Sequence, residues 1–196
     1  MSRRVFVSFR YSDGAPYKER LDKLFYSSDY IINCSENIDR SSMSESTIRN
    51  YLYGKLDNTS VTILILSPMA INHNKNWMGQ YDDWIYDELR YSLEDRIGNR
   101  TNGIVAVYTK DAQAMVIEQF DGYKTIPEFD NLARRNMFNV KPQYKKNPKE
   151  GLYDSRWDSY CSLVSWEEFV DNYSDYIENA AQKRNVCEHY NLEKRM

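Results

Sequence analysis

Between residues 83 and 89 the chain reads Asp83-Trp84-Ile85-Tyr86-Asp87-Glu88-Leu89, which sets Trp84 and Glu88 four residues apart. On a helix that spacing stacks the two side chains on one face. Ile85, Leu89 and Leu93 form a separate apolar stripe suited to packing on a sheet. Two readings of the pair stand at this point. One is an ordinary solvated glutamate beside a half-buried tryptophan. The other is a carboxylate held against an aromatic wall at the carboxyl edge of a sheet, where open α/β folds bind ligands.

Other chemistries find little support. No GxGxxG follows the first apolar run, Gly54-Lys55 lacks the upstream glycine of a phosphate-binding loop, and no GxSxG is present. An aspartate suited to phosphoacceptor chemistry is missing after the third apolar run, where the chain has Leu66-Ser67-Pro68. The two histidines, His73 and His189, read as surface residues. Cys34, Cys161 and Cys187 are odd in number and include no CxxC pair, so neither a disulfide framework nor a standard zinc site is expected. No cofactor is therefore expected.

The elements that must position Glu88 follow from apolar runs. Arg4–Phe9, Tyr30–Cys34, Ser60–Leu66 and Gly103–Tyr108 read as strands, with Met137–Val140 as a candidate fifth. Helices are expected from Pro16 to about Phe25, from a Ser44 cap to Leu56, and from about Tyr81 to Arg96. Ser165-Trp166-Glu167-Glu168 forms a capping box opening a helix to about Arg184, and the charged tail from Asn185 reads as frayed or engaged with a partner. Strand–helix alternation over the first 110 residues predicts an α/β fold with a central parallel sheet flanked by helices.

At 196 residues, with 26 basic and 29 acidic side chains and 41% hydrophobic content, the chain suits one globular domain. The near-neutral balance does not point to nucleic acid. No apolar run has the ~18–20 residues of a membrane span, and Met-Ser-Arg-Arg leads directly into a strand; a reducing cytoplasm is the expected setting. The 17 tyrosines suit half-buried packing, or else aromatic surfaces for self-association or nucleotide stacking.

Taken in order, these segments resemble a known family. Arg4-Val5-Phe6-Val7-Ser8-Phe9-Arg10-Tyr11-Ser12-Asp13 is similar to the opening box of TIR domains. Asn58–Ser67 followed by Trp84-Ile85-Tyr86-Asp87-Glu88 resembles their third strand and W-x-x-x-E helix. The likeness is nearest to the bacterial TIR-like proteins of Thoeris antiphage systems and covers about residues 3–110. It implies a flavodoxin-like TIR fold; length and the Ser165 capping box make the whole chain, 1–196, a single domain with a core of about 3–140 and an added C-terminal helical segment of about 150–185. The resemblance also implies an enzyme that cleaves NAD at the nicotinamide–ribose bond. Its product would be an ADP-ribose-derived signal, cyclic in the expected case, that diffuses to a separate effector protein. The resemblance assigns Glu88 as catalytic, and Phe9, Arg10, Tyr11, Asp39, Ser67 and Trp84 as substrate-binding. Asp39 falls in the loop Glu36–Ser44, matching the family's variable BB loop. A phage-derived trigger and homo-oligomerisation are implied, with no nucleic acid, membrane or metal. The same fold can also serve as a non-catalytic scaffold for protein assembly.

Overall fold

A computed structural model describes residues 2–28, 31–34, 45–95 and 100–196. The expected loop 36–44, with Asp39 and the Ser44 cap, lies outside them. Five strands make one all-parallel sheet: β1 (Arg3–Ser8), β2 (Ile31–Asn33), β3 (Val61–Leu66), β4 (Gly103–Tyr108) and a last strand at Cys161–Ser165. The order, with that last strand fifth, is 2-1-3-4-5, as in flavodoxin-like folds. Helices α1 (Tyr11–Tyr26), α2 (Glu45–Leu56) and α3 (Trp84–Leu93) supply the first three of the four crossovers.

Parallel strands covered on both faces read as continuous apolar runs, and all six residues of both β3 and β4 are buried. Val61, Ile63 and Ile65 pack toward α1, while Leu64 and Leu66 pack with Ile85, Leu89 and Leu93 of α3. Period-2 alternation thus divides one strand between two cores.

The fifth strand is not Met137–Val140. Met137 is buried in the α3-side core, and Phe138 takes a left-handed φ of 54° that no strand accommodates. Val140 makes only an isolated bridge to Tyr190. The chain between β4 and the last strand instead forms α4 (Gln113–Val116), a hairpin of β5 (Glu118–Phe120) and β6 (Tyr123–Thr125), and α5 (Leu132–Arg135). Cys161–Ser165 then returns as β7 beside β4, with Ile104 opposite Cys161 and Tyr108 opposite Ser165.

The expected cap is present: Ser165 Oγ accepts the Glu168 N–H at 3.2 Å and opens α6 (Trp166–Arg184). Trp166, Phe169, Ile177, Ala180 and Ala181 bury against the α1-side core. Complete burial of a side chain such as Phe169 contributes about 1.5–3 kcal/mol. α6 crosses β4 so closely that a Cβ on Gly103 would lie 2.0 Å from the Ala180 carbonyl oxygen.

Residues 185–196 are docked rather than frayed. Asn136 and Glu193 exchange two hydrogen bonds, Asn191 N–H donates to Asn139 O at 2.8 Å, and Tyr190 is buried against Tyr160. At the extreme end Arg195 pairs with Glu94 at 3.0 Å, and the Met196 N–H donates to Tyr86 Oη. Among the described residues, no helix is long and apolar enough to cross a membrane.

Candidate functional site at the carboxyl end of β1

β1 sends Phe6 toward α2 and α3, where it packs with Leu52, Leu56 and Trp84. Alternation places Ser8 on the same side of the sheet. Ser8 is wholly buried, and its hydroxyl has no hydrogen-bond partner among the described residues. Two residues on, the Nε and Nη2 atoms of Arg10 are also buried without a hydrogen-bond partner among the described residues. Each such group left unmade costs about 1–3 kcal/mol, more where it is charged. Among the described residues, Arg10 faces the charge of Asp83, whose Oδ2 lies 3.7 Å from Arg10 Nη2.

Asp83 is the cap of α3. Its Oδ1 accepts the Tyr86 N–H at 2.8 Å and its Oδ2 accepts the Asn74 N–H at 2.6 Å. From that anchored start, α3 turns Ile85, Leu89 and Leu93 into the core. Trp84 and Glu88 share another face. Trp84 is half-buried, and Glu88 is only 8% exposed. The solvated-glutamate reading therefore does not describe this residue. Glu88 is a buried carboxyl one turn past an aromatic wall.

His73 departs from its expected surface position, being 5% exposed. Its Nε2 accepts the Leu132 N–H at 2.9 Å, which puts the proton of the neutral ring on Nδ1. Nδ1 sits 3.4 Å from Asp83 Oδ2, too poorly aimed for a full hydrogen bond. Burial opposes ionisation of Asp83. The imidazole and the two backbone N–H groups outweigh it and hold the carboxyl below its ordinary value. A signal for this cluster was legible: an aspartate immediately before a helical apolar stripe is a strong cap. The link to His73, ten residues earlier, left no local pattern.

The remaining expected residues divide. Phe9 packs on the α1 side of the sheet, opposite Trp84, and Tyr11 begins α1 with 58% exposure. Ser67 is wholly buried and donates its hydroxyl to Asp13 Oδ1 at 2.7 Å, while Asp13 Oδ2 accepts the Met69 N–H. That pair ties the start of α1 to the end of β3. Asp39 is outside the described residues. The structure thus brings Arg10 to the foot of α3, the helix of Trp84 and Glu88, and sets Phe9 and Ser67 on the other side of the sheet.

No protein-family model matches the chain. What the site can do rests on its own groups. An under-bonded guanidinium at a strand end suits an anion such as a phosphate. A buried carboxyl on an adjoining helix suits developing positive charge. Their combination fits a ligand that carries phosphate at one point and becomes cationic at another.

Proposed function

We propose that the chain is a TIR-type enzyme that cleaves NAD at the nicotinamide–ribose bond, with Glu88 as its catalytic residue. The observation that carries this reading is a buried Glu88 sharing a helix face with Trp84, on a helix whose cap faces the under-bonded Arg10. Nicotinamide leaves NAD as a neutral molecule from a cationic pyridinium, so this bond needs no general acid, unlike the two-carboxylate glycosidases. The electron pair of the C1′–N bond departs with the nicotinamide nitrogen, and Glu88 stabilises the positive charge left on the ribose. Water, which gives its proton up to solvent, or a nucleophile within the same molecule then forms the new bond to C1′. In this reading Arg10 holds a phosphate and Trp84 forms the pocket wall.

The wider assignment belongs to the same proposal. The enzyme acts in a bacterial antiphage system in the cytoplasm, responds to a phage-derived trigger, works as a homo-oligomer, and releases an ADP-ribose-derived, cyclic signal to a separate effector. The test is mass spectrometry of products formed from NAD by the native protein and by Glu88→Gln. The variant is expected to keep its circular dichroism and lose turnover. A folded Glu88→Gln protein with full activity overturns the assignment.

One observation favours a scaffold as the second reading. Trp77 is 91% exposed and Met78 58% exposed, on a turn where Asn76 Oδ1 accepts the N–H groups of Met78 and Gln80. A large ring presented on an ordered turn suits a protein contact. Loss of self-association in Trp77→Ser with no NAD turnover in the native protein would favour that reading.

A further inference from the structure

A cavity of about 800 Å³ opens beyond the carboxyl ends of β4 and β7. It falls within the ~300–1,000 Å³ typical of small-molecule sites. Its walls come from the exposed β5–β6 hairpin, the segment around Phe138, the 151–155 loop and the start of α6. Ser8, Arg10, Trp84 and Glu88 take no part in it.

The lining is rich in rings: Tyr108, Tyr123, Phe138, Tyr153 and Tyr176. Phe138 holds its place with a φ of 54°, a conformation rare for a bulky residue. Strain of this kind, of order 1–3 kcal/mol, persists where the surroundings over-determine it, as at ligand clamps. Here the Phe138 N–H is anchored on Ser159 Oγ at 2.9 Å, and the ring packs 5.4 Å from that of Tyr153.

The charges around these rings select among ligands. An aromatic enclosure could suit a quaternary ammonium. Three of its rings, however, already carry protein cations. Lys145 Nζ stands 4.4 Å from the Tyr153 centroid, Arg156 4.7 Å from Tyr176, and Arg134 5.7 Å from Phe138. None of the three cations is itself in the lining. Arg134 is neutralised by Glu128 at 2.9 Å, whereas no carboxylate lies within 4.0 Å of Lys145, Arg156 or the lining residue Lys124 among the described residues. Among the described residues the lining holds one carboxylate, Glu168, whose Oε1 accepts from the neutral Asn172 and Tyr176 and so is turned toward its own helix. Rings that already carry protein cations have less attraction left for a second one, and Lys124 offers an anion a contact in the lining, so the cavity favours an aromatic group that bears a phosphate.

We infer that this cavity is a binding site for a nucleotide, its base stacked among the tyrosines and Phe138 and its phosphate drawn to Lys124. The site is separate from that of Glu88 and stands whether or not the chain cleaves NAD.

Calorimetric titration of the full chain with 5′-AMP, adenosine, inorganic phosphate and choline tests it. AMP is expected to bind at least tenfold more tightly than adenosine or phosphate, with no binding of choline. Tyr123→Ala and Lys124→Ala change only exposed hairpin residues, so the fold is retained; each should weaken AMP about tenfold. Because AMP is also half of NAD, the titration is repeated on Arg10→Ala, where the affinity at this cavity should be unchanged. The inference is overturned if AMP fails to bind at millimolar concentration, or if phosphate or choline binds as well as AMP. It is equally overturned if Arg10→Ala abolishes AMP binding while the hairpin variants leave it intact.

Discussion

Arg10 Nη2 stops 3.7 Å short of Asp83 Oδ2, close enough for charge attraction and too far for a hydrogen bond. Asp83 already accepts two backbone N–H groups and faces His73, so little of its bonding capacity remains for the guanidinium. The cation is held in place without being satisfied.

That arrangement predicts how Arg10→Met behaves. Thermal stability should move by only a few degrees, because an under-bonded cation gives the fold little. On the proposed NAD reading, affinity for NAD should fall at least tenfold, measured by calorimetry in a Glu88→Gln background, where that reading expects no turnover. Unchanged affinity would separate Arg10 from the ligand.

Asp83→Asn tests the cap. The native carboxyl titrates below its ordinary value, so the folded state binds fewer protons than the unfolded chain. Its stabilisation is complete above about pH 4 and is lost as pH falls through the lowered value. At pH 7 the variant should be less stable by about 1–2 kcal/mol. In urea titrations between pH 7 and pH 2, the gap between native protein and variant should narrow with acidity. A constant gap would contradict the ionised cap.

Gly103→Ala should be among the most damaging small changes in the molecule. The added methyl meets the Ala180 carbonyl at 2.0 Å, and backbone cannot swing aside as a long side chain can. Overpacking typically costs about 1–3 kcal/mol, and this site should reach or exceed the upper end. The midpoint of urea unfolding reads it directly.

Deletion of residues 190–196 should destabilise the protein by roughly 3–5 kcal/mol, the scale of losing one buried aromatic. Tyr190 leaves the core, and the buried Asn136 loses both bonds to Glu193. A truncated protein with native melting behaviour would show the tail to be dispensable.

How far the sequence could be read depended on whether a signal was local. Ile85, Leu89 and Leu93 and the β3 run declared their partners through periodicity, and the Ser165 cap was written within four residues. The buried position of Glu88 was not, since burial depends on what α2 and β1 bring to its face. Met137–Val140 and Cys161–Ser165 are both short apolar runs, and only the left-handed turn at Phe138 separates strand from non-strand. The docked tail was hidden for the same reason: polar residues such as Asn136 and Asn139 bind it through side-chain amides, which leave no hydrophobic pattern.

The placement of β7 bears on how the protein is made. β4 must wait for a strand that begins 53 residues after β4 ends, as Tyr108 and Cys161 mark those limits. Until then an apolar strand with unpaired backbone groups forms the rim of a four-stranded sheet, and such rims recruit other chains. A nascent or truncated polypeptide ending before residue 161 should therefore be an aggregation hazard even with every residue of the Glu88 region already synthesised.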